Sequence, residues 1–113
     1  MSFTPQHALV WCEIPVTDLD AAMAFYSKVF GYEMTIDTNG PNPMAMLPAQ
    51  SYDTGIAGHL YPGKPAAAGT GPTVHLQIPD TVEEAIARCR EAGGDSGGPI
   101  VEMPFGRFGY VTD

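Results

Sequence analysis

The sequence predicts an α+β fold made of two tandem strand–helix–strand–strand–strand modules, with the final strand of the second module missing from the chain. Three observations carry this. Residues 8–16 alternate apolar and polar, which is the period of a half-buried strand. Residues 19–30 carry apolar side chains at helical spacing, closed by Gly31. Both patterns then return: Trp11 aligns with Thr73, Glu13 with His75, and, after a slip of one residue in the intervening turn, Leu19 with Val82 and Gly31 with Gly94.

The elements follow in order. Ala8, Val10, Cys12, Ile14 and Val16 form the apolar face of the first strand, and Trp11, Glu13 and Pro15 lie on the other. Thr17 and Asp18 are good helix caps, and Asp20 sits where the helix dipole favours an acid. Leu19, Met23, Tyr26 and Phe30, broadened by Ala22 and Val29, make one apolar stripe, and Gly31 is suited to the left-handed position after a helix. Residues 32–38, 44–47 and 56–61 read as the next three strands, with Asn39-Gly40 marking the hairpin turn. Residues 62–72, rich in Pro, Gly and Ala, form a linker.

In the second half Val74, Leu76 and Ile78 oppose Thr73, His75 and Gln77. Thr81-x-x-Glu84 is a capping box for a helix whose stripe is Val82, Ala85, Ile86 and Cys89, ended by Gly93-Gly94. Residues 100–103 and 107–112 are two further strands. The pattern calls for one more strand beyond Asp113: either the sequence is truncated or the protein lacks it. The organisation expected is one domain over 1–113, with module one at about 7–61, the linker at 62–72 and module two at 73–113.

Bulk properties narrow the partners. The 113 residues carry a net charge of −8 with only five Lys plus Arg, so no basic footprint for nucleic acid or an anionic membrane is present. No apolar run is long enough to span a bilayer and no signal peptide is recognised, so a cytoplasmic protein is expected. Cys12 and Cys89 fall on apolar faces and read as free, packed thiols.

The duplicated module resembles the vicinal oxygen chelate superfamily, which includes glyoxalases, bleomycin- and fosfomycin-resistance proteins and extradiol dioxygenases. The residues carrying the likeness are Glu13-Ile-Pro-Val-Thr-Asp-Leu-Asp-Ala-Ala-Met-Ala-Phe-Tyr, Phe30-Gly31, Ala92-Gly93-Gly94 and Phe105-Gly-Arg-Phe-Gly-Tyr-Val-Thr-Asp113. The start is similar to members described as related to lactoylglutathione lyase. The resemblance implies a curved mixed sheet forming a cup, helices outside, a small-molecule ligand inside and, often, a homodimer. It also implies a metal held by first-strand and fourth-strand residues. The first-strand ligand positions fall on Trp11 and on Thr73 or Val74, none an ordinary ligand for a divalent ion.

In such a cup Glu13 has two readings: a general base (or ligand to a relocated metal), and a strand carboxylate satisfied by an ion pair or hydrogen bond. His75, its repeat mate, is either the second acid–base group or a satisfied strand histidine. His59 and Tyr61 share the cup face of the fourth strand. Trp11 is either core packing or a stacking floor for a flat ligand. Thr73, Gln77 and Arg107 complete the candidate ligand contacts, with Phe105 and Phe108 at the mouth; His7 reads as exposed. No cofactor is expected; if a divalent metal binds, its residues are Glu13, His59 and His75. Two functions follow: a glyoxalase-like, lyase- or isomerase-type enzyme on a small organic molecule, and a non-catalytic protein that sequesters such a molecule.

Overall fold

Alternation along the first strand becomes β1 (Trp11–Val16) in a computed structural model that describes residues 2–53, 55–104 and 106–113. Cys12, Ile14 and Val16 turn inward while Trp11 and Glu13 are exposed, the face assignment the alternation predicts. The strand starts three residues later than expected. The fold class is α+β, with α1 (Leu19–Phe30), β2 (Thr35–Asp37), β3 (Met44–Met46), β4 (Ala57–Pro62), α2 (Val82–Glu91), β5 (Asp95–Ser96), β6 (Val101–Met103), β7 (Gly106–Phe108) and β8 (Val111–Thr112).

Two compact units are distinguished. One holds the chain up to Leu19 together with Met34–Pro65; the other holds Asp20–Glu33 with Ala66–Asp113. The first unit is a four-stranded sheet in the order β1-β4-β3-β2. β1 and β4 are parallel, with Glu13 opposite His59; the other pairs are antiparallel. Its core is Val16, Ala45, Leu47 and Leu60. Gly58 permits the closeness of β1 and β4: a Cβ there would overlap the Cys12 carbonyl oxygen.

The second unit packs helices and short strands around Tyr26, Val29, Ala85 and Cys89. Every stripe residue of α1 and α2 is at least partly buried, as the spacing requires. Gly31, at φ 73°, donates its N–H to Ser27 O and ends α1. Thr81 caps α2 by accepting the Glu84 N–H at 3.1 Å. Arg88 ties the unit together: its Nε donates to Val29 O at 2.9 Å and its other nitrogens fork onto the Asp80 carboxylate.

One expectation fails here. Residues 73–78 belong to no ladder among the described residues. In the first unit β1 takes its backbone partners from β4. In the second, β5 pairs with β8 and β6 with β7, so no described strand remains to play that part. A tyrosine serves instead at one point, Tyr32 Oη donating to Gln77 O at 2.6 Å.

Candidate functional site

Parallel pairing places Glu13 and His59 side by side on one face of the first unit's sheet, and the two-residue period adds Trp11 and Tyr61 to that face. Trp11 stands opposite Ala57, whose methyl leaves room for the indole to lean along β4 toward His59. The indole Nε1–H donates to His59 Nδ1 at 2.9 Å, and His59 Nε2 lies 3.3 Å from Glu13 Oε1. His59 is 6% exposed, a depth that an imidazole tolerates only with both nitrogens partnered. The Glu13 side chain remains 67% exposed. A buried ring thus presents an accessible carboxylate.

Aromatic rings surround the imidazole beside that carboxylate. The Trp11 and His59 rings are 5.9 Å apart, and Tyr61 meets His59 edge-on at 5.9 Å. Tyr52 comes within 6.1 Å of Trp11 and donates its hydroxyl to Leu47 O at 2.8 Å. Sequence reasoning missed Tyr52; an aromatic in a loop of small and polar residues was the only signal. It also missed that His59 would be the partner of Glu13, because strand register is not visible before the pairing is known.

The remaining candidates lie in the second unit. Thr73, His75 and Arg107 line a cleft of about 140 Å³ whose apolar wall includes Val82, Ala85 and Ile86. His75 makes edge contacts with Phe108 at 5.1 Å and Tyr110 at 5.9 Å. Arg107 is already held by Glu83 at 3.0 and 3.2 Å and by Glu102 at 3.2 Å. Its guanidinium keeps the Glu83 carboxyl below the usual carboxylate range, and the carboxylate in turn raises Arg107. Gln77 contributes its backbone carbonyl to Tyr32, and its side chain is exposed. His7 is exposed. Phe105 lies outside the described residues. Burial pushes the Cys12 thiol up, helped by Glu13, and burial does the same to Cys89, helped by Asp113 and Asp95.

The chain belongs to the Glyoxalase/Bleomycin resistance protein/Dioxygenase superfamily, whose family model matches residues 8–113. Among solved structures it is similar to a superfamily member from Sphaerobacter thermophilus DSM 20745, at 22% identity over 95% of this chain and 89% of that one, with a TM-score of 0.59. TioX from Micromonospora sp. ML1 is also similar, at 22% identity over 95% and 90% of the two chains and a TM-score of 0.53. So is the integron cassette protein VCH_CASS1 from the mobile metagenome of V. cholerae, at 15% identity, 95% and 84% coverage and a TM-score of 0.56. These likenesses concern the fold. No curated protein matches the sequence.

Members of this superfamily often bind a divalent metal. The donor set here does not fit one. His59 Nδ1 accepts the Trp11 N–H, and no three His, Cys, Asp or Glu side chains come together among the described residues. None of the described helices is long and apolar enough to cross a membrane.

Proposed function

We propose that this glyoxalase-like protein acts on a small organic molecule, a carbonyl or hydroxy-carbonyl compound, lying against Trp11 and Tyr61 with Glu13 as the base. The observation that carries this reading is an exposed carboxylate anchored by a buried imidazole beside an indole face. A carboxylate so held can take a proton from a bound ligand and return it to another atom of the same molecule, which is isomerase- or lyase-type chemistry. Within the second unit, His75 is proposed as an acid–base group and Thr73, Gln77 and Arg107 as ligand contacts of that unit, Arg107 through the N–H groups that Glu83 and Glu102 leave over.

Sequestration without turnover is the second reading. It is favoured by the methionines of β3: Met46 pairs with His59, and its soft, adaptable surface suits a bulky apolar guest. A thermal-shift screen of small carbonyl and aromatic compounds, followed by turnover assays, separates the two. Turnover that is lost in Glu13→Gln with binding retained supports the enzyme. Binding without turnover in the wild type supports sequestration. We also infer a homodimer, since β1 and β2 each leave an outer sheet edge without a described ladder partner. Light scattering that returns a monomer at micromolar concentration would overturn it.

A further inference from the structure

We propose that Trp11 is a positioning residue which fixes the tautomer of His59 and thereby aims Glu13, making the site selective for flat ligands that donate a hydrogen bond. This rests on the reading of Glu13 as the ligand-facing carboxylate.

The argument begins with what an indole can do. Its N–H donates and never accepts. At 2.9 Å from Trp11 Nε1, His59 Nδ1 must therefore be the acceptor, and the ring proton of the neutral imidazole lies on Nε2. Nε2 lies 3.3 Å from Glu13 Oε1, so this tautomer puts the ring proton on the edge beside the carboxylate. With the other tautomer, a ring lone pair would face a carboxylate lone pair, and Glu13 would turn away. Trp11 makes its hydrogen bond to the ring and not to Glu13, yet it decides which nitrogen of that ring carries the proton.

The same bonds decide what a ligand meets. The Trp11 N–H and the Tyr52 hydroxyl are each donated within the protein, and His59 Nε2 lies against Glu13 Oε1 at 3.3 Å. Glu13 Oε2 takes no partner among the described residues. The cluster therefore offers a ligand an acceptor oxygen and aromatic faces. A phenolic hydroxyl completes that oxygen. A carboxylate or phosphate brings acceptor against acceptor, in a chain that already carries −8.

The test has two arms. Nitrogen NMR of the histidine-labelled wild type reads the tautomer without any ligand or variant; Nδ1 is expected at the unprotonated position and Nε2 at the protonated one. Trp11→Phe is expected to give a mixed or reversed pattern, while His75 stays unchanged. A protonated Nδ1 in the wild type, or an unaltered pattern in Trp11→Phe, overturns the positioning role. The second arm titrates 4-methylphenol, 4-methylanisole and 4-methylbenzoate. The phenol is expected to bind about tenfold more tightly than the anisole, the value of one charge-assisted hydrogen bond, with the benzoate weakest. Glu13→Gln should erase most of the phenol's advantage. Equal binding of phenol and benzoate overturns the selectivity. Failure of all three probes to bind overturns it together with the proposed ligand site, and leaves the tautomer result to be judged separately.

Discussion

Gly58→Ala is a test of how the site strands are held together. An added Cβ would overlap the Cys12 carbonyl oxygen and press within 2.9 Å of its carbon and 3.0 Å of its Cβ. All three atoms belong to the neighbouring strand, so no flexible side chain can move aside. β1 and β4 must part. Overpacking of this kind costs about 1–3 kcal/mol. Stretching a ladder hydrogen bond adds about 1 kcal/mol. The sum, about 2–4 kcal/mol, corresponds to a fall of roughly 8–16 °C in Tm for a domain of this size. Thermal and urea melts would measure it. Gly97→Ala is the control: nothing lies within 4 Å of its Cβ, so a change of no more than about 0.5 kcal/mol is expected. Equal melting of the two variants would refute the claim that close strand approach, not glycine as such, is what matters at position 58.

Three further outcomes follow from the second unit and the thiols. Asp80 is held below the ordinary carboxylate value of 3.8 by Arg88, so its folded-state pKa is the depressed one; its contribution is complete above about pH 4 and is lost as pH falls through the folded value. Tm measured from about pH 6 down to about pH 2 should fall less for Asp80→Asn than for the wild type, and parallel curves would count against the pair. Thr81→Ala removes the hydroxyl that accepts the Glu84 N–H, and should lower stability by about 1 kcal/mol in urea titration; Thr81→Ser should restore most of it. Burial raises both thiols, so Cys12 and Cys89 should react slowly with a disulfide reagent at neutral pH and quickly in urea; fast reaction of Cys89 in the native protein would contradict its complete burial.

Much of the fold was legible because its signals are local. The α1 and α2 stripes, the Gly31 and Gly93-Gly94 stops and the Thr81 cap each lie within a few residues of what they determine. The inward and outward faces of β1 followed from alternation alone. The failures are non-local. Residues 73–78 have a strand's pattern, but a ladder needs a partner, and pattern cannot supply one. Arg107 is a candidate ligand contact in sequence, and its ion pairs with Glu83 and Glu102, 24 and 5 residues away along the chain, were not visible there. At the site, Glu13, Trp11 and His59 were each visible as chemistry-bearing residues on strand faces. The bond that orders them depends on the β1–β4 register, which a single sequence does not display.

The parallel pairing of β1 with β4 has a kinetic consequence. Trp11 and His59 are 48 residues apart, so the hydrogen bond between them closes only after a long stretch of chain has been gathered. Such closures are entropically costly early in folding, and parallel ladders lack the short hairpin that would nucleate them. The first unit is therefore expected to assemble in milliseconds to seconds, with its β2–β3 hairpin ahead of its β1–β4 seam. Trp11 is the chain's one tryptophan and sits in that seam, so its fluorescence is a built-in clock for the last step.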